Sequence, residues 1–267
     1  MFCASADRRS RSVGLATAAL LVLGPAISLG AIDPDVVAAL RSQRVLVMGG
    51  TGNNGSVIVR QLAALKIPFR AMSRDVVAAR KDLGLPGVEW VQGNVTDAAS
   101  LAAPLKGIDI VIDAVAATGV LGNSRPEAVD FEGMRNLLAA AKVAGVKRIV
   151  IITSSVSGKK DHFLNVIGRD VLIWKGRAEE LLVASGLEYV IVGPAAIDDE
   201  PIGARPLRVI PRNSYVAGMK TSRADMAVGV LTFAVDPRAR NRAFTLINDA
   251  AGARQDWRAA LAAMPAK

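Results

Sequence analysis

In 267 residues the chain has one cysteine, one histidine, two tyrosines and only 4% aromatic side chains. Cys3 lies in an N-terminal leader, so the rest of the chain has no thiol. That excludes an internal disulfide, a cysteine nucleophile and a cysteine-based zinc site from the folded part. His162, in the segment Gly158 to Phe163, has no second imidazole with which to share a metal. It reads as a solvent-facing loop residue before an acid or a ligand, and no metal site is expected. The formal charge of +9 is not gathered into a basic block with interleaved aromatics, which leaves a nucleic-acid platform unsupported. A spread surplus of this kind suits small anionic ligands. Repeats of solenoid length are absent too. What the chain has in quantity is apolar material, 51% of its residues, enough for the core of one globular unit.

Residues 1 to 30 form a separate object. Arg8, Arg9 and Arg11 precede an uncharged run from Ser12 to Ile32, and Ser28-Leu29-Gly30 offers small residues for a signal peptidase. The leader reads as an export signal with cleavage after Gly30. The adjacent arginines resemble the twin-arginine type, with Ser10, Arg11 and Ser12 standing where hydrophobic residues usually follow. Two alternatives stay open. The run matches the roughly 20 residues that span a bilayer, as an uncleaved anchor would. The Arg and Ser content favours an organellar transit peptide, against which the long apolar stretch argues. The expectation is an exported or periplasmic domain of residues 31 to 267 that touches membrane only through this segment.

From Arg44 onward, short apolar runs alternate with helical patterns. Val45 to Met48, Pro68 to Ser73, Val88 to Gln92, Ile108 to Ile112, Arg148 to Ile152 and Glu188 to Val192 read as strands. Between the fourth and fifth, one helix is expected from Pro126 to Ala144, stopped by Gly145, and another from Trp174 to Ala184. This order predicts an α/β fold with a doubly wound parallel sheet of Rossmann type. Pro201, Gly203, Pro206, Pro211 and Gly218 interrupt the alternation from 194 to 221, which reads as a small irregular substrate-side lobe. After it come a helix opened by Ser222 and Asp225, a strand from Ala243 to Ile247 and a helix from Trp257 to Met264. A crevice is expected at the carboxyl ends of strands one, four and five.

The first strand feeds Gly49-Gly50-Thr51-Gly52-Asn53-Asn54-Gly55, after which Val57, Ile58, Gln61, Leu62 and Leu65 recur at helical spacing. Glycines at 49, 52 and 55 permit the tight turn, the approach of a diphosphate to the backbone, and close helix–strand packing. The helix N-terminus then presents free amides to the anion. A strand before the glycines and a helix after them is the context such a dinucleotide-binding motif requires.

This turn, with a Lys-x-x-x-Glu helix and the strand after it, resembles the atypical short-chain dehydrogenase/reductase family over roughly Arg44 to Ile247. Its single-domain branch holds flavin and biliverdin reductases and NmrA-like redox sensors. The resemblance implies an NAD(P) cofactor, with Thr51, Asn53 and Asn54 joining the three glycines around it. Ser73 and Arg74 follow strand two, where the adenosine ribose lies; a guanidinium there favours a 2′-phosphate, hence NADP over NAD. Asn94 and Val95, in Gly93 to Asp97, resemble the adenine-side segment, with an amide replacing the family's first acid. Asp97 reads chiefly as a helix N-cap. Ala114, Val115 and Ala116 supply small residues beside the cofactor, and Pro194 and Ala195 resemble the turn by the carboxamide, with Gly193 in place of the usual arginine. Thr153 and Ser154 end strand five, where the family holds a hydroxyl near the nicotinamide. Ser154 is the chosen catalytic residue, turn chemistry being the competing role.

Lys175 resembles the family's active-site lysine, and also binds the nicotinamide ribose on that reading, although a surface pair with Glu179 is the plain alternative. The tyrosine four positions before it is replaced by Val171. Neither Tyr189 nor Tyr215 has a lysine four residues on, so a phenol acidified by its neighbour is missing. Two functions follow as expectations: an NADPH-dependent reductase of a flavin, quinone or similar acceptor that needs no side-chain acid, or a catalytically silent NADP-binding sensor, assembly factor or scaffold. The expected partners are accordingly a small-molecule acceptor or another protein.

Overall fold

The computed structural model describes residues 32–212, 214–249, 251 and 255–264. The leader expected at 1–30 lies outside them.

The strands are β1 (Val45–Met48), β2 (Phe69–Ser73), β3 (Glu89–Gln92), β4 (Ile110–Asp113), β5 (Arg148–Ile152), β6 (Glu188–Pro194), β7 (Ala196–Asp198), β8 (Leu207–Pro211), β9 (Lys220–Ser222) and β10 (Arg242–Asn248). The helices are α1 (Pro34–Arg41), α2 (Asn53–Ala64), α3 (Val76–Leu83), α4 (Ala102–Leu105), α5 (Gly133–Ala144), α6 (Phe163–Ile167), α7 (Val171–Ala184), α8 (Arg223–Val235) and α9 (Trp257–Ala262). One sheet runs β3-β2-β1-β4-β5-β6-β10-β9-β7, parallel from β3 to β10, with β8 antiparallel on β10. The chain leaves β1 for β2 on one side and later returns to place β4 on the other. That reversal opens the crevice beyond the carboxyl ends of β1 and β4.

Both sheet faces are covered, which is why these strands read as unbroken apolar runs. All four residues of β1 are buried. Val45 and Val47 pack with Ile58, Leu62, Met226 and Val230 of α2 and α8, and Leu46 and Met48 pack with Leu137 of α5 and Leu182 of α7. Helix α8 lies under α1 and α2 as well as against the sheet, so most of its circumference is buried and the amphipathic stripe of a surface helix is lost.

Three departures from the sequence reading bear on the site. The helix expected over 126–144 is divided: Glu127–Glu132 is a π-turn, and α-helical geometry starts at Gly133. A π-turn inserts one extra residue and re-aims those beside it, and here it carries Asp130 inward. Helix α7 starts at Val171, three residues before the expected Trp174. The stretch read as irregular, 194–221, contains β7, β8 and nearly all of β9. Pro206 and Pro211 bracket β8, where Leu207 and Val209 point inward, so they delimit a sheet-edge strand instead of breaking one. Side chains complete what these short strands lack in backbone pairing: Asn248 accepts from the Ser222 amide at 2.6 Å and donates to Asp225 Oδ2 and the Arg205 carbonyl, each at 2.8 Å.

Candidate cofactor and active site

Gly49 turns the chain with φ +69°, and a Cβ on it would approach the Ala114 carbonyl oxygen to 2.9 Å. A Cβ on Gly55 would overlap the carbonyl oxygen of Gly49. The turn therefore admits only glycine at both ends. Gly52 opens α2 with no side-chain cap and no acid in the first turn. The first amides of the helix, and the positive end of its dipole, stay available to an anion. Asn54 contributes only backbone there, because its Oδ1 accepts from Arg223 Nη1 at 2.6 Å and Arg223 in turn pairs with Asp199 at 2.7 Å.

A trough of about 440 Å³ begins at this turn. Gly49, Thr51 and Gly52 form its floor, Ser73 and Arg74 the wall beyond β2, Asn94 and Val95 the end beyond β3, and Ala114, Val115 and Ala116 the side beyond β4. Asn53 and Gly55 stand behind the floor in the first turn of α2. Two of the expected polar contacts are partly committed to the fold. Ser73 Oγ is buried against the backbone of Asp75, and Asn94 Oδ1 accepts from the Thr96 amide at 3.2 Å. Asp97 caps the turn before α4, as expected of it, through the Ala99 amide. Among the described residues the exposed Arg74 guanidinium has no hydrogen bond or ion pair, so it faces the trough uncommitted.

The trough leads to a polar cluster around a second, much smaller cavity of about 10 Å³, lined by Asp113, Asp130, Thr153 and Lys175. Lys175 Nζ lies 2.7 Å from Asp130 Oδ1, the side chains 15% and 3% exposed. Asp130 Oδ2 is buried without a partner. Asp113 is pushed up to about 6 by burial and by the Asp130 charge, against the Val115 amide and the Lys175 ammonium, which both favour its ionised form. The plain alternative for Lys175, a surface pair with Glu179, is not what forms. Glu179 is buried and pairs with Arg212, from the end of β8. Arg212 also donates from Nη2 to Thr153 Oγ1 at 3.1 Å, and burial holds its pKa below the usual guanidinium value. A side chain at 193 would collide with Arg212 Nη1. The guanidinium of Arg212, 19 positions later, thus occupies the space that a side chain at position 193 would need.

Ser154 lines neither cavity, and its Oγ accepts from the Val156 amide at 3.3 Å, the turn role that competed in the sequence reading. Thr153 is the hydroxyl beside Lys175. Pro194 and Ala195 also line neither cavity: the Pro194 carbonyl accepts from Ser155, and the Ala195 amide is shared by Leu246 O and Thr221 Oγ1. His162 caps α6 through Nδ1 and stacks on Phe163. Tyr189 is buried in β6, and Tyr215 lies beneath the Lys159 ammonium. Among the described residues no His, Cys, Asp or Glu trio is arranged to hold a metal, and no helix is long and apolar enough to cross a membrane.

Sequence reasoning missed Asp113 and Asp130 on the small cavity, Thr118, Asn123 and Ser124 on the trough, and Arg212 behind Thr153. Asp113 carried a signal, an acid ending an otherwise apolar strand. Asp130 carried none, because the pattern around it reads as regular helix, and Arg212 meets its partners only through the sheet.

An open, doubly wound parallel sheet whose opening β–α turn is lined by glycine and leads into such a trough defines a dinucleotide-binding protein of the Rossmann class. The chain belongs to the NAD(P)H-binding family, whose sequence profile matches residues 49–237. It is similar to sanguinarine reductase of Eschscholzia californica, 29% identical over 76% of this chain and 88% of that one. It is also similar to the NAD(P)H azoreductase of Xenophilus azovorans, 35% identical over 56% of this chain and 47% of that one. It spans about half the length of some curated relatives that it matches. In fold it is similar to an anaerobillin reductase from Escherichia coli O157:H7, with a TM-score of 0.65, 22% identity, and coverage of 79% of this chain and 99% of that one.

Proposed function

We propose that the protein is an NADPH-dependent reductase of a conjugated acceptor such as a flavin or quinone. The observation that carries this reading is the pairing of a well-formed dinucleotide trough with Val171 where a proton-donating tyrosine would stand. A conjugated acceptor spreads the charge that arrives with hydride over its own π-system, so loss of the phenol is tolerable. The similar proteins, reductases of sanguinarine and of azo compounds among them, support a reductase and leave the acceptor open.

The residues fit the cofactor. The amides of Asn53, Asn54 and Gly55 would hold its diphosphate, and Arg74 its 2′-phosphate, which favours NADPH over NADH. The adenine would lie by Asn94 and Val95, and the small residues Ala114 to Ala116 would leave room for the nicotinamide half. Bound there, NADPH supplies a hydride. The protein's own part is to hold the acceptor against it and exclude water.

The test is NADPH oxidation by the purified protein with a panel of flavins and quinones, beside calorimetric titration of both nucleotides. Turnover with at least one acceptor is expected. Tight NADPH binding with no turnover across the panel would favour a silent NADP-binding module, a reading that the Lys175–Asp130 pair supports, since it holds the lysine's charge inside the protein. We further propose that residues 1–30 direct the chain out of the cytoplasm or into an organelle; the mass of the mature N-terminus tests this.

A further inference from the structure

Arg212 is an unusual residue to find where it is. Its side chain is 9% exposed, its partner Glu179 is 11% exposed, and its Nη1 is buried with no hydrogen-bond partner. A buried ion pair seldom adds net stability over apolar packing, and an orphaned N–H subtracts from it. The fold has nevertheless cleared position 193 to glycine so that this guanidinium can lie between the ends of β5 and β6. What it obtains there is a bond to Thr153. Thr153 Oγ1 accepts from Arg212 Nη2 at 3.1 Å, and among the described residues its own hydrogen has no acceptor. Thr153 is half-buried and lines the cavity shared with Lys175. A hydroxyl with one lone pair taken by a cation is a stronger donor, and the occupied side leaves its hydrogen to turn toward the cavity.

We propose that Arg212, which stands behind Thr153 just past the end of β8, is a positioning residue that aims and polarises the Thr153 hydroxyl toward the acceptor's oxygen. Glu179 holds the guanidinium in place from α7. This inference rests on the reductase reading and names the group that substitutes for the missing tyrosine. In the reaction the acceptor gains one hydride, which carries two electrons with a single proton, and NADPH is thereby oxidised to NADP⁺. Negative charge collects on the acceptor's oxygen, which accepts a hydrogen bond from Thr153 and then takes its proton from solvent. Thr153 keeps its own proton throughout, so no base is needed to restore it. The donor is thus assembled from three elements, Thr153 after β5, Arg212 after β8 and Glu179 on α7.

The test is steady-state kinetics with NADPH and menadione on the full chain, together with NADPH affinity from cofactor fluorescence and a thermal midpoint for each variant. Thr153→Val is expected to lower kcat about tenfold, with NADPH affinity unchanged, and Thr153→Ser to restore most of it. Arg212→Lys keeps the charge and loses the fork, and is expected to lower kcat in the wild-type background and to have no further effect beside Thr153→Val. A merely structural arginine would lower kcat by the same factor in both backgrounds, and that result overturns the proposal. So does a wild-type kcat in Thr153→Val, a variant that keeps the side-chain volume and tests the idea even if Arg212→Lys fails to fold. Failure of the wild-type protein to oxidise NADPH with any acceptor overturns the reductase reading and this inference with it. Turnover insensitive to Thr153 overturns this inference alone.

Discussion

Lys175 on α7 and Asp130 on the π-turn before α5 meet through a 2.7 Å contact, and neither side chain has much access to water. The pair joins two elements packed on the same face of the sheet and sets the charge of the cavity between them.

Removing one member of such a pair leaves the other desolvated and uncompensated. Asp130→Asn is expected to destabilise the protein by about 3 kcal/mol, near the lower end for a buried pair because Lys175 keeps some solvent contact. Urea denaturation measures it. Adding Lys175→Met to that variant is expected to recover part of the loss, and a further fall of equal size would show that the two residues act independently.

The glycine turn gives a sharper expectation. Gly55→Ala places a methyl group into the Gly49 carbonyl, so the turn must open or α2 must move. Overpacking of this kind costs about 1–3 kcal/mol, and the displaced amides no longer converge on a diphosphate. Calorimetry with NADPH is expected to register no binding to a variant that circular dichroism shows still folded. Retained affinity would mean that the diphosphate is held elsewhere.

On the proposed reading, cofactor choice rests on Arg74. A charge-assisted bond to a 2′-phosphate is worth about 1.5–3 kcal/mol, so Arg74→Ala is expected to weaken NADPH about ten- to a hundredfold. NADH, which lacks that phosphate, is expected to bind as before. Equal losses for both nucleotides would place Arg74 on the diphosphate, or on nothing specific.

Asp113 provides a signature in pH. Its carboxyl is raised from an ordinary 3.8 to about 6 in the folded chain, chiefly by burial. For a raised acid the contribution is whole below the unfolded pKa and is lost as pH rises through the folded one, because only the folded state resists ionisation. The loss is of the order of 3 kcal/mol between about pH 4 and pH 7. Asp113→Asn cannot ionise yet keeps an acceptor for the Val115 amide, so the stability difference between variant and wild type should shift in favour of the variant across that range. A difference independent of pH would show that Asp113 ionises in the fold as it does in water.

The glycine turn and most of the trough were legible in sequence because both are local. A buried parallel strand, a glycine turn and an amphipathic helix each leave a periodic trace over a dozen residues. The trough's walls, Arg74, Asn94 and Ala114 among them, follow because each stands at the end of a strand read from its own apolar run. The polar end of the site was legible only in part. Lys175 was found by its spacing, but its partner was not, since a π-turn leaves no pattern distinct from an α-helix. Ser154 and Thr153 are neighbours in sequence and differ only in which way the backbone turns after β5.

The amino-acid order by itself thus determined the layered sheet, its strand sequence up to β6, the anion-binding turn and the absence of a Tyr–Lys pair. Only the tertiary structure decided what replaces that pair: Asp130 beneath Lys175, and Arg212 reaching past Gly193 to Thr153. The reason is range. Backbone geometry and apolar periodicity act between near neighbours, whereas the charge of a buried side chain is balanced by whatever the packing of distant segments brings within a few ångströms.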